Sequence, residues 1–340
     1  MHRALIASSI FAMIAWVAMA IAVPRFEIPA ADASATFDAW TEAARYEIEY
    51  RVELSSLPKG EARIWLPLPA ENEHQQVLSL EIDSPWSTRQ TADRFGNRIL
   101  YTKGSVDGGN VTNARLVTRH LVVRRPTAGI DRSVDPSMNA SRFLRPARRI
   151  PLDGVIADIA ESEGATLSSD LEKLRAFYDY VVRNMTYSKH GEGWGTGDAI
   201  WACTSKYGNC TDFHSLFLGL ARAQGLPARF VIGFGIPDDL QEGQSPGYHC
   251  WAEAFDSLEG WFPLDASAAR NSGRLDDYFG TLPSDRVEFT IGRDLVLEPP
   301  QAGEPLNFFI HPHVEVDGIA VEGLTATLHF RRLPPSEKSG

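Results

Sequence analysis

The chain has 340 residues, 44% of them hydrophobic and 23% charged, with 27 Gly and 21 Pro. These are the proportions of a folded protein rather than a disordered, collagenous or disulfide-stapled one. Its 33 Lys and Arg stand against 44 Asp and Glu, a formal charge of −11, which argues against nucleic acid or an anionic membrane surface as partner.

Taken in chain order, Met1-His2-Arg3 is followed by an apolar run from Ala4 to Val23 broken only by Ser8 and Ser9, with small residues at Ala18, Ala20 and Ala22. A basic start, an apolar stretch and a small-x-small site describe a signal peptide, and about 20 apolar residues also suffice for an uncleaved anchor. Residues 1–22 are therefore expected to be a signal peptide or membrane anchor. The rest of the chain is expected in the periplasm or outside the cell, with membrane contact only through that segment.

Strands come next. Tyr46, Ile48, Tyr50, Val52 and Leu54 alternate with Arg45, Glu47, Glu49, Arg51 and Glu53, the period of a half-buried strand. Ala62, Ile64, Leu66 and Leu68 repeat it, and residues 78–82, 99–102 and 114–125 are further strands. Residues 40–125 thus read as an antiparallel β-domain, a small sandwich. Residues 126–151, rich in Pro, Arg, Ser and Asp without period, read as a linker.

Helical spacing follows. Asp153 is positioned to cap residues 155–163, and Ser169 to Glu172 form a capping box opening a second helix through Leu171, Leu174, Tyr178, Val181, Val182 and Met185. A third helix starts after Asn209, with Phe213, Leu216, Phe217 and Leu220 on one stripe and Gly225 at its end. Strands return at 228–236, 248–255, 261–265 and 287–291, and the tail adds a hairpin signal at Asp317-Gly318 and the alternation Ala326, Leu328, Phe330. Residues 152–298 are expected to form an α/β core and 299–340 a C-terminal β extension.

The cysteines Cys203, Cys210 and Cys250 are too few and too local for a stapled framework and are read singly. Cys210 stands at the start of the third helix, where free backbone N–H groups and the helix dipole favour a thiolate. A thiolate nucleophile needs a base, and the base an orienting group. His214 shares a helix face with Cys210 but reads equally as a solvated residue. His249 opens a strand after the Gly- and Pro-containing loop 237–247, a better place for a working imidazole. If residues 256–260 form a five-residue hairpin loop, Phe255 pairs with Trp261, Trp251 faces Asp265 and His249 faces Ser267. His249 and Asp265 then become diagonal neighbours on one face. A four-residue loop would instead make Glu253 the rival carboxylate.

The run Tyr207-Gly208-Asn209-Cys210-Thr211-Asp212-Phe213-His214, continued by Ala221 to Phe230, resembles the nucleophile segment of the transglutaminase-like superfamily. Residues Tyr248 to Glu253 resemble its histidine segment, and Gly260 to Ser267 its aspartate segment. The resemblance implies an α+β chain with a papain-like α/β core, in which Cys210, His249 and Asp265 are the catalytic residues. It implies acyl transfer or hydrolysis on amide or peptide substrates through a thioester. Protein, peptide or cell-wall peptide is the expected partner, with no cofactor and no metal. The oxyanion would be held by backbone N–H groups at the helix start and one side-chain donor, drawn from Trp194, Trp201, Tyr207 and Asn209. Competing readings are a catalytically silent binding module and a zinc site built from Cys203, Cys210, His214, His249 and Cys250, whose spacing lacks a short Cys pair. With Cys210 kept free, Cys203 and Cys250 are left either to bridge or to stay buried and reduced, Cys250 pointing to the face of its strand opposite His249.

Overall fold

The computed structural model describes residues 40, 43–107, 114–128, 140–257 and 260–334; the expected signal segment, 1–22, lies outside them. Strands β1 (Ala44–Glu53), β2 (Gly60–Pro67), β3 (Gln75–Asp83), β4 (Thr88–Ala92), β5 (Arg98–Val106) and β6 (Arg115–Arg124) come first. Strand β4, polar along its length, carries no alternation and was not legible as a strand. Helices α1 (Val155–Gly164), α2 (Asp170–Asn184), α3 (Ala199–Ser205) and α4 (Cys210–Ala223) follow, then strands β7 (Ala228–Gly235), β8 (Tyr248–Asp256) and β9 (Gly260–Leu264), helix α5 (Ala266–Ser272) and strand β10 (Arg286–Ile291). The chain ends with β11 (His313–Val316), β12 (Ile319–Ala320) and β13 (Ala326–Leu333). The fold is α+β.

The N-terminal strands divide between two antiparallel sheets. One runs β13-β1-β6-β3, with the short segment Glu242–Gln244 at its outer edge, and the other runs β12-β11-β2-β5-β4. Tyr46, Ile48, Tyr50 and Val52 are buried, as their alternation requires, and share a core with Ala62, Ile64 and Leu66. The opposite face of β1 carries charge in cross-strand register, with Arg119 Nε donating to Glu49 at 2.8 Å and Arg331 pairing with Glu47. The tail, expected as a C-terminal β extension, completes these sheets: β13 pairs with β1 from Arg45–Leu333 to Val52–Ala326, and β11 pairs with β2. The reason is that β1 and β2 both bury one face and need a partner on each edge. Asp317 and Gly318, both at positive φ, make the expected turn.

The third sheet, β9-β8-β7-β10, is antiparallel and positions the site. Helix α4 lies against β8 and β7 with α1, α2 and α3 around it. Every residue from Cys210 to Arg222 is buried, so α4 is a central core helix and His214 is not solvated. Gly225, at φ 72°, ends it by donating to the Arg222 carbonyl while Leu226 donates to that of Ala221. The Ser169 capping box forms, with Glu172 N donating to Ser169 Oγ at 3.2 Å. Asp153 does not cap α1: Gly154, at φ 55°, is its N-cap residue and supplies no side chain.

Candidate active site

Helix α4 begins in a second capping box. Asn209 Oδ1 accepts from Thr211 N at 2.9 Å, and Asp212 Oδ2 accepts from Asn209 N at 2.9 Å. The Asp212 carboxylate also accepts from Gly195 N and Gly197 N, so it fastens the preceding glycine-rich loop to the first turn that carries Cys210. Gly197 is at φ 62°, and a Cβ there would approach Thr211 Cγ2 to 2.7 Å; only glycine lets the loop lie this close. Asn209 Nδ2 donates to Tyr248 Oη at 3.0 Å. The Cys210 amide has no acceptor among the described residues and points its donor out of the helix start.

Strand β8 brings the histidine. Phe255 pairs with Trp261 in the expected register, which runs to Ala252–Leu264. The ladder then stops because Asp265 is not the last strand residue but the N-cap of α5, accepting from Ala268 N at 2.8 Å. The turn into the helix swings its carboxylate toward His249, and His249 Nε2 meets Asp265 Oδ2 at 2.6 Å. His249 acts on the Cys210 thiol, and with Nε2 committed to Asp265 the nitrogen left to face it is Nδ1. The His249 side chain is 20% exposed, whereas Asp265 is fully buried.

Asp265 is surrounded by donors. Ser267 Oγ donates to Oδ1 at 2.8 Å and Arg286 Nη2 lies 3.4 Å from Oδ2. Burial alone would raise the carboxyl, but the charge and hydrogen bond of His249, with Arg286 behind, hold it far below the usual carboxylate range. In return, burial that would lower His249 is outweighed by the Asp265 charge, and the imidazole is raised to about 9. Arg286 reaches across β7 at Gly235, where a Cβ would lie 3.7 Å from His249 Cβ and 3.9 Å from Arg286 Nη1.

A second imidazole lies beside the same carboxylate. His214 Nδ1 lies 2.7 Å from the Cys210 carbonyl and Nε2 lies 3.1 Å from Ala266 N. A carbonyl only accepts and an amide only donates, so His214 is the neutral Nδ1–H tautomer, and burial lowers its pKa in agreement. It ties the start of α4 to the start of α5.

The three thiols are free and buried. Cys250 does face away from His249 along β8, but that face is covered by α4: its Sγ lies 3.7 Å from Thr211 Oγ1 and 3.8 Å from His214 Nδ1. It is therefore not remote from the site, and its thiol acts on that of Cys210 through hydrogen bonding. That bond, followed by the hydrogen bond and charge of His249, holds Cys210 well below the ordinary thiol value against the pull of burial. Burial and the Cys210 charge drive Cys250 in the other direction. Cys203, on α3, is raised by burial.

The rival carboxylate, Glu253, is taken by Arg229 on β7 at 2.5 Å. Of the side chains weighed as oxyanion donors, Asn209 is spent on its cap and on Tyr248, and Trp201 packs edge-on to Tyr207 at 5.1 Å. His214, Arg286 and Tyr248 belong to the site's geometry and were not singled out as supports. The paired glycines Gly233 and Gly235 on β7 are the signal in sequence that something crosses that strand. Among the described residues no group of three or more His, Cys, Asp or Glu is arranged to hold a metal ion.

Residues 157–266 match the family model described as the transglutaminase-like superfamily. An uncharacterised protein of Haemophilus influenzae is 25% identical over 323 residues, covering 82% of this chain and 87% of that relative. The crystal structure of a Cytophaga hutchinsonii protein, provisionally described as a cysteine protease, superposes with a TM-score of 0.60 at 18% identity, covering 86% of this chain and 92% of that one. The periplasmic domain of TgpA from Pseudomonas aeruginosa superposes with a TM-score of 0.37 at 15% identity, over 71% and 96% of the two chains. The stretch from α1 to the start of α5 is thus the part of this chain that is similar to the transglutaminase-like superfamily.

Proposed function

We propose that this protein is a thiol-dependent enzyme acting on amide or peptide carbonyls, with Cys210 as nucleophile, His249 as acid and base, and Asp265 as orienting carboxylate. The reading rests on one observation, a His249 imidazole that acts on the Cys210 thiol and is bound on its other side to a buried Asp265 that three further groups hold in place. The lowered thiol and raised imidazole make a thiolate–imidazolium pair at neutral pH.

The thiolate attacks the carbonyl carbon, and the oxygen that becomes negative is received by the Cys210 N–H at the positive end of α4. Imidazolium gives its Nδ1 proton to the departing nitrogen, so ammonia or an amine leaves and a thioester remains. Neutral His249 then takes a proton from water or a second amine, which attacks the thioester and releases Cys210. Asp265 keeps Nε2 protonated throughout and stabilises each imidazolium. Protein, peptide or cell-wall peptide is the substrate class, and the apolar stretch within residues 1–22 supports export. Among the described residues no helix is long and apolar enough to cross a membrane.

The test is mass spectrometry of peptide and cell-wall substrate mixtures incubated with the protein and an amine donor. A gain of about one dalton reports deamidation, a new terminus reports cleavage and a donor adduct reports transfer; each should vanish in Cys210→Ala. Absence of every product, together with a Cys210 that resists iodoacetamide near pH 7, sinks the reading.

A further inference from the structure

Away from the Cys210 site, a cavity of about 440 Å³ opens between the 3₁₀ turn Ala140–Leu144, the β4–β5 turn and the end of β10. In a chain of charge −11 its lining holds Arg142, which has a further partner, and four more arginines, Arg94, Arg145, Arg222 and Arg293, that meet among the described residues a single carboxylate, Asp294. That carboxylate is already engaged: Asp294 Oδ2 accepts from Arg148 N at 2.8 Å and Oδ1 from Arg148 Nε at 3.0 Å.

The two deepest guanidinium groups are satisfied by neutral acceptors. Arg222 donates to the Ala228 and Arg145 carbonyls, and Arg293 donates to Ser215 Oγ, the Gly197 carbonyl and Asn307. Burial and the neighbouring Arg293 push Arg222 down to about 9, as expected where like charges share a poorly hydrated place. Hydrogen bonds to carbonyls satisfy the donors but leave the net positive charge, which a concave wall focuses into the cavity.

The walls also carry rings. Phe95 and Phe143 stack with centroids 5.7 Å apart and 23° between planes. The Arg94 and Arg142 guanidinium carbons lie 4.7 and 6.0 Å from the Phe95 centroid, so charge and aromatic surface meet at one spot. Guanidinium forks match phosphate oxygens in pairs, and the volume falls in the range of small-ligand sites. We propose that this cavity binds a phosphate monoester, its dianionic head among the arginines and a flat apolar body against Phe95 and Phe143.

The test is thermal unfolding and calorimetric titration of the full-length protein at constant ionic strength, with phenyl phosphate, inorganic phosphate, benzoate and phenol as probes. Phenyl phosphate near saturation should raise Tm by about 2–4 °C, inorganic phosphate less, and benzoate and phenol not at all. The exposed pair Arg94→Gln/Arg145→Gln should keep the unliganded Tm and lose the shift at least tenfold in affinity. No shift with either phosphate, a shift surviving in the double variant, or benzoate matching phenyl phosphate would each overturn the assignment. Because both substituted residues lie outside the Cys210 site, turnover in the variant is independent of this outcome.

Discussion

Two regions of this molecule bury charge in opposite ways. Around Asp265 each charge lies against its complement: a carboxylate between an imidazole and the Arg286 guanidinium, a thiol beside that same imidazole. In the arginine-lined cavity Arg222 and Arg293 meet carbonyls, a hydroxyl and an amide oxygen, and the one carboxylate among the described residues is turned to Arg148. The first arrangement is electrostatically complete and fixes geometry before any ligand arrives, which catalysis needs. The second is complete in hydrogen bonds but not in charge, which leaves something for a ligand to supply. Both regions meet in α4, where Arg293 Nη1 donates to Ser215 one and a half turns beyond Cys210.

The contrast predicts a graded series. Cys210→Ala removes the nucleophile and should cost at least about 10³-fold in turnover with the fold unchanged by circular dichroism. Asp265→Asn should cost about 10²–10⁴-fold in kcat, whereas Glu253→Gln, outside the complete set, should leave kcat unchanged. Activity in Asp265→Asn equal to the parent would mean the carboxylate is only a helix cap.

Cys250→Ala deletes the first support of the Cys210 thiolate. The pH midpoint of its reaction with iodoacetamide should rise by about one unit, and an unmoved midpoint would assign the lowering to His249 alone. The pH dependence itself has two arms. Turnover should fall as pH rises through about 9, where His249 loses the proton it must give away, while alkylation does not fall there. Asp265 is held below its unfolded value, so its contribution to stability is present above pH ~4 and is lost as pH falls further. Urea unfolding at pH 3 and 6 should show this decline in the parent and not in Asp265→Asn.

The smallest effects separate the two regions most cleanly. Arg286→Gln leaves Asp265 and Asp285 short of a buried partner and should destabilise by about 1–3 kcal/mol in urea. Arg94→Gln, on the exposed rim of the cavity, should change stability by no more than about 0.5 kcal/mol.

Much of this was legible in the sequence because period and caps are local. The β1 alternation, the Ser169 box and the α4 stripe each fall within one element, and the Phe255–Trp261 register follows from hairpin arithmetic. What escaped depends on distant partners. His214 reads as an ordinary helical residue until α5 is known to present the Ala266 amide to it. Cys250 faces away from His249 along its strand, and only the packing of α4 beneath β8 returns it to Cys210. Helix α3 is too short to show a period, and its signal was Asp198, whose Oδ1 accepts from both Ile200 N and Trp201 N.

The pairing of β13 with β1 joins residues separated by nearly the whole chain, Arg45 with Leu333 at one end and Val52 with Ala326 at the other. Because β1 lies between β6 and β13, a growing chain that has made the first six strands still carries a raw edge along β1. That edge stays unpaired until the last residues emerge. Such non-local closure slows folding and keeps partly made chains sticky. It also means that cutting off the last fifteen described residues would open the N-terminal sheet, although the cut lies far from it in sequence. A chain of this design is finished from both sides of β1 at once.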